Sequence, residues 1–177
     1  MGWSFRRAGV GAGDVAAAQD AYRRIIDHLG ETGDPSRWHD VGHPKPEQVA
    51  AWAEAGELYL ALDGKQIAGV VVLNHEAIDA YATADWAVEA SALEALVVHA
   101  LGVMPDYLGQ GVARFLLDSA LDVAREAGCL AVRLDVYVEN TPALRLYRSY
   151  GFRDLGCYTV DYGDIDLNEF HLFEYVL

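Results

Sequence analysis

Between Leu93 and Val103 apolar residues follow one another almost without a break, which predicts a central strand covered on both faces. After the loop Met104-Pro105-Asp106-Tyr107-Leu108, residues Val112, Phe115, Leu116, Ala120, Val123 and Ala127 recur at a helical period. Arg114, Asp118, Asp122, Arg125 and Glu126 fill the opposite side, so an amphipathic helix is predicted, stopping at Gly128. From Ala131 to Val138 the period is two: Val132, Leu134, Val136 and Val138 share one face, Arg133, Asp135 and Tyr137 the other, as in a strand. Asn140-Thr141-Pro142 reads as the cap and first turn of a short helix ending at Gly151, and a final strand pair is predicted over Cys157 to Tyr162 and Glu169 to Val176. Upstream, Trp3 to Ala8 reads as a strand, and Asp14 as the N-cap of a helix reaching about Leu29. Glycines and prolines make Gly30 to Pro46 irregular, a mobile substrate-side loop weighted by Trp38, His39 and His43. Glu47 to Ala55 reads as a short helix, and Leu58 to Leu62 with Gln66 to Leu73 as a hairpin turning at Asp63-Gly64. Strands interleaved with helices in this way predict an α/β fold.

Length and composition narrow the class. The chain has 177 residues, 53% of them apolar, which is enough for a single self-supporting domain over residues 1–177. A formal charge of -14 repels nucleic acid and anionic membranes, and the longest apolar run, Ile67 to Leu73, is far too short to span a bilayer. Neither partner is expected. Cys129 and Cys157 form no Cys-x-x-Cys pair and read as reduced thiols of a cytoplasmic protein. No metal is expected: after His75-Glu76 a zinc-protease helix would need a second histidine where Asp79 stands, and His39 and His43 are surrounded by Pro44, Pro46 and Gly42, which oppose a helix.

The most informative unit is strand, loop, Gly109-Gln110-Gly111-Val112-Ala113, helix. It delivers unpaired backbone N–H groups and the positive end of a helix dipole to one spot, where glycines admit a phosphate closely; an ordinary glycine turn before a helix is the other reading. The strings that mark a Rossmann unit or a P-loop are absent.

Here the chain resembles the GNAT superfamily of acetyl-CoA-dependent N-acetyltransferases. The resemblance rests on Leu101-Gly-Val-Met-Pro-Asp-Tyr-Leu-Gly-Gln-Gly-Val-Ala113, similar to the family's strand, loop and helix. It rests equally on Asn140-Thr-Pro-Ala-Leu-Arg-Leu-Tyr-Arg-Ser-Tyr-Gly-Phe152, similar to its second coenzyme motif. Leu108 stands where the family usually has Arg or Gln. The resemblance implies a mixed, curved central sheet with helices on both faces, acetyl-CoA as co-substrate, and a coenzyme site of Leu101, Val103, Leu108, Gly109, Gln110, Gly111, Val112, Ala113, Asn140 and Tyr147. Backbone N–H groups of the Gly102-Val103-Met104 stretch would meet the thioester carbonyl, and Tyr147 would face the coenzyme sulfur, a phenol of pKa about 10 able to protonate the departing thiolate. Tyr150 and Phe152 are expected in the core.

An amine acceptor is mostly protonated at neutral pH and needs a base. His99 is the first candidate, because the face Val97, His99, Leu101, Val103 points it toward the reacting stretch; Glu94 and then Glu89 follow. Two stretches, His75 to Ala95 and Asp154 to Leu177, carry acids and neither Lys nor Arg; with Tyr81 and Trp86 they suggest a cationic acceptor, a small molecule or a peptide or protein amine. Neither cysteine has a His or Asp near it in sequence, so direct transfer in a ternary complex is expected rather than an acyl-enzyme. A homodimer is one assembly compatible with this class. The rival readings are a non-catalytic acyl-CoA-binding sensor, suggested by Leu108, and a GNAT enzyme with a different acyl donor.

Overall fold

The structure is a computed structural model that describes residues 2–163 and 167–177. Its contacts gather the chain into two compact units: residues 1–34, 38–73 and 99–120 in the first, and 35–37, 74–98 and 121–177 in the second. The elements are β1 (Ser4–Arg7), α1 (Ala12–Thr32), α2 (Trp38–Val41), α3 (Pro46–Glu54), β2 (Leu58–Asp63), β3 (Gln66–Asn74), β4 (Ala95–Val103), α4 (Val112–Glu126), β5 (Ala131–Tyr137), α5 (Thr141–Tyr150), β6 (Arg153–Thr159) and β7 (Glu169–Val176). Short 3-10 turns cover Asp79–Thr83, Ala92–Glu94 and Pro105–Tyr107. The strands follow the order β1-β2-β3-β4-β5-β7-β6. β4 and β5 pair in parallel, while β1–β2, β2–β3, β5–β7 and β6–β7 are antiparallel. The sheet is therefore mixed, and the α/β expectation holds.

In the first unit, α1 and α3 bury Ala18, Ala21, Tyr22, Ile25, Val49 and Ala53 against Leu58, Leu60, Val70 and Val72 of the hairpin. The helix α1 begins two residues before Asp14, after an extended Gly11. Asp14 is thus not its N-cap. Its carboxylate instead accepts from the Gly9 amide at 2.7 Å and from the Arg6 guanidinium, whose hydrogen bonds hold the acid at about 2. The Gly30–Pro46 stretch is more ordered than its glycines and prolines suggested. Trp38 packs on Tyr22 with ring centroids 6.3 Å apart, and His43 faces both Trp38 and Trp52. Trp38 and His43 are spent on this packing while His39 stays exposed, so the stretch read from the sequence as a mobile substrate-side loop forms a packed corner at these two residues.

Gly69 decides how closely α4 can lie on β3. A Cβ there would come within 2.9 Å of Val112 Cγ1, 3.0 Å of Leu116 Cδ1 and 3.1 Å of the Gly102 carbonyl oxygen. The missing side chain lets the first turn of α4 sit directly on the strand, with Val112 and Leu116 fully buried.

In the second unit, β5 alternates as its period requires: Val132, Leu134 and Val136 are buried while Asp135 and Tyr137 are half-buried. Arg133 breaks the pattern. It is buried with an ion-pair partner, Glu174, and lies over the Trp86 ring at 4.2 Å. Tyr81, Val97 and Leu172 form a small core beneath the segment that follows β3.

Replacing Gly69 by Ala should cost about 1–3 kcal/mol through forced repacking of Val112 and Leu116. Urea unfolding of the two chains, read as a shift in midpoint at unchanged slope, measures it.

Candidate active site

In the first unit the chain leaves β4, makes the 3-10 turn Pro105–Tyr107 and enters α4 through Leu108, Gly109, Gln110 and Gly111. The turn is pinned at three points. Arg24 reaches Asp106 at 2.9 Å, the Tyr107 hydroxyl reaches Asp63 and Gln66, and the Gln110 side chain donates to the Asp106 carbonyl at 2.9 Å. Gly109 and Gly111 have φ of +73° and +92°, which L side chains rarely adopt. Among the described residues, the amides of Gly109, Gly111, Val112 and Ala113 have no hydrogen-bond acceptor. These donors, at the start of a fifteen-residue helix, can grip an anionic diphosphate without any side-chain charge. Leu108 is 51% exposed at the edge of the same loop. Leu101 and Val103 are half-buried in β4, and His99 is half-buried on that strand with an interaction of its own. Met104, in contrast, has committed its amide to the Ala68 carbonyl at 2.9 Å, so that member of the expected oxyanion stretch is spent on the sheet. The hydrogen-bonded register of β4 with β5 covers only Ala95 to Val97.

The remaining candidates lie in the second unit. Asn140 caps α5, its side-chain oxygen accepting from the Ala143 amide at 3.3 Å. Tyr147, on the buried face of α5, sits among Phe152 and Phe173 at centroid distances of 5.6 and 5.7 Å. Burial, helped by the charge of Asp135, pushes its phenol far above the ordinary value, so it holds its proton and can act only as a donor near neutral pH. Phe152 is buried and Tyr150 packs on it, as expected of core residues. Glu94 is exposed and closes a capping box with Ser91; the Ser91 side-chain and backbone bonds lower its pKa, which weakens it as a base. Glu89 is exposed.

Asp135 was invisible as more than a polar position of β5. The structure makes it the acceptor for two phenols: Tyr81 donates to Oδ1 at 2.9 Å and Tyr162 to Oδ2. Burial raises both phenols strongly, and the Asp135 charge raises them further. Alternation along β5 put Asp135 on one face with Arg133 and Tyr137, but its partners come from segments 54 and 27 residues distant.

Of the acidic stretch 75–95, Glu76, Asp79, Asp85, Glu89 and Glu94 are all exposed. Its aromatic residues are engaged elsewhere, since Trp86 carries Arg133 on its ring and Tyr81 is buried. In the stretch 154–177, Asp154 accepts from Arg148 and His171, and Glu174 is buried with Arg133; Asp164 and Asp166 lie outside the described residues. In the first unit, Asp34, His39 and Asp40 bring potential ligand atoms within 4.8 Å, although Asp34 already accepts the Asp40 amide at 3.1 Å.

Folding also gives Cys157 a histidine neighbour that its sequence lacks. It stands directly across from His171 in the β6–β7 ladder, and His171 bonds Asp154 at 2.9 Å. This is not an activated thiol, because burial and then Glu169 and Asp154 raise its pKa. Cys129 is buried and likewise raised by burial. Cys157 should therefore be alkylated by iodoacetamide at pH 7 more slowly than a free cysteine analogue, with the rate still climbing above pH 9. Mass spectrometry of the alkylated chain follows it.

Among the described residues no helix is long and apolar enough to cross a membrane. Two sequence relatives share a third of the chain. They are the N-alpha-acetyltransferase RimI of Mycobacterium tuberculosis, 48% identical over 59 residues, and the mycothiol acetyltransferase of Clavibacter sepedonicus, 47% identical over 57 residues. The matches span 33% and 32% of this chain, but only 35% and 19% of those relatives' own lengths. Among solved structures, yncA of Salmonella typhimurium with its cofactor acetyl-CoA is similar over all of this chain and 95% of its own. The TM-score is 0.69 at 19% identity, a likeness of fold. Residues 25–152 match the model of the acetyltransferase (GNAT) family, and the chain belongs to that family.

Proposed function

We propose that this chain is an N-acetyltransferase that moves the acetyl group of acetyl-CoA directly to an amine within a ternary complex. The observation that carries this reading is the set of unpartnered amides at Gly109, Gly111, Val112 and Ala113, opened by two left-handed glycines at the head of α4. A diphosphate fits such a cradle by hydrogen bonding and helix dipole alone, which is why Leu108 can replace a polar residue there. Leu101 and Val103 would line the pantetheine path along β4, and Asn140 would meet the same arm.

Thioester aminolysis needs a proton for the leaving thiolate, and Tyr147 supplies it in this reading. A phenol raised by burial is a weaker acid at rest, but a thiolate formed beside it in a low-dielectric site is raised too. His99 takes the proton from the amine. Asp135 is the second candidate, because its charge already bears on Tyr147. The acceptor is a cationic amine, supported by the exposed carboxylates Glu76, Asp79, Asp85 and Glu89 and by the mycobacterial relative's name, an N-alpha-acetyltransferase. The raised thiols of Cys129 and Cys157 support direct transfer over an acyl-enzyme.

Isothermal titration with acetyl-CoA, followed by thiol release with polyamines, peptides and neutral amines, tests the reading. Binding with no thiol release from any amine would identify a sensor, and no binding would refute the cradle. Tyr147→Phe should lower kcat by roughly 10- to 1000-fold with coenzyme affinity little changed. The pH profile of kcat/KM assigns the base: a limb that disappears in His99→Gln identifies the imidazole, and one that disappears in Asp135→Asn identifies the carboxylate.

A further inference from the structure

The segment between β3 and β4 does more than cover β5 and β7. With β4 and β5 it lines a half-open cavity of about 380 Å³ whose lining residues all belong to the second unit, a volume in the range of small-molecule sites. Ile78 and Val97 give the cavity an apolar lining, Ala82, Ala92 and Ala95 keep it open, and Arg133 is its most buried polar group.

The Arg133 side chain is 7% exposed, and its donors are unevenly used. Nε and Nη2 donate to Glu174 Oε1 at 3.2 and 3.1 Å, and Nη2 also to the Val88 carbonyl at 2.7 Å. Nη1 has no acceptor among the described residues, yet it is not one of the fully enclosed orphan atoms. It therefore keeps access to solvent on a residue that lines this pocket, and an acceptor oxygen reaching it completes the guanidinium. A second polar group sits on the same cavity. His75 Nδ1 lies 3.1 Å from the Ala92 carbonyl and 2.9 Å from the Ala95 carbonyl. Both partners are acceptors, so Nδ1 carries the proton and Nε2 of the neutral ring is left as an acceptor.

Charge selects among ligands with such an oxygen. The positive charge of Arg133 is already matched by the buried Glu174, and Asp79 lines the same cavity. A carboxylate would gain a hydrogen bond at Arg133 but face two anions, and an ammonium could pair with Asp79 but would face the guanidinium and leave Arg133 Nη1 without an acceptor. A neutral carboxamide suits both ends, its carbonyl accepting from Arg133 Nη1 and its N–H donating to His75 Nε2 or Asp79. From this we infer that the cavity between the β3–β4 segment and strands β4 and β5 is a binding site for a small neutral carboxamide with a compact apolar body. It reaches beyond the acetyl-transfer reading, because its ligand contacts are independent of the α4 cradle.

The test is a titration of the ¹⁵N-labelled full chain with benzamide, benzoate and benzylamine, followed by amide chemical shifts. Benzamide should give saturable shifts centred on Ala77, Ile78, Ser91 and Ala92, with the other two probes about tenfold or more weaker, because benzoate faces Glu174 and Asp79 while benzylamine faces the guanidinium and leaves Arg133 without an acceptor. Ala92→Phe and Ala82→Phe, both at exposed positions, should fill the cavity and abolish the shifts while the melting temperature stays unchanged. Benzoate binding as well as benzamide, shifts surviving in both filled variants, or no saturable shift with benzamide would each overturn the assignment. Acetyl-CoA binding, measured on the same sample, reports on the cradle separately.

Discussion

The absence of one side chain at Gly69 sets the position of the glycine loop before α4. Because β3 offers bare backbone there, Val112 and Leu116 descend onto the strand and the head of α4 is held at contact distance. Everything that makes the loop capable of holding an anion follows from that seat. The helix must begin at Val112, the two preceding glycines must turn left-handed to reach it, and the amides they expose must look outward rather than fold back on the sheet. The pins from Arg24, Tyr107 and Gln110 fix the loop around this anchor but are exposed and individually weak. Packing, not charge, places the donors.

The second unit works by a different principle, that of carboxylates each answered by more than one donor. Asp135 receives two phenols, Glu174 receives both a guanidinium and the Ala87 amide, and Asp154 receives Arg148 and His171. These clusters tie the segment after β3 and the last two strands to β5, so that an acid-rich region still packs tightly.

Periodicity made the elements from β4 to α5 legible almost to the residue, because a continuous apolar run, a 3.6 period and a 2.0 period stand next to one another with glycine stops between them. The glycine loop and the Asn140 cap were legible for the same reason: their function is carried by backbone, and glycine and asparagine announce backbone conformations. Asp14 misled because a carboxylate can stabilise a helix start from inside the first turn as well as from the cap. The Gly30–Pro46 corner misled because turn residues predict a lack of regular structure, not a lack of packing, and the Tyr22, Trp38, His43 and Trp52 cluster assembles across distant segments. Asp135 and the Cys157–His171 pairing depend on cross-strand register and long-range partners, which no local pattern encodes.

Glu174 and Arg133 carry an evolutionary consequence. Enclosed beside Trp86, each is the neutralising neighbour of the other, and a lone replacement on either strand would strand an ion without water. The two positions are therefore free to diverge only in tandem, most readily into an uncharged couple of similar bulk. In descendants of this chain they should behave as one inherited character rather than two.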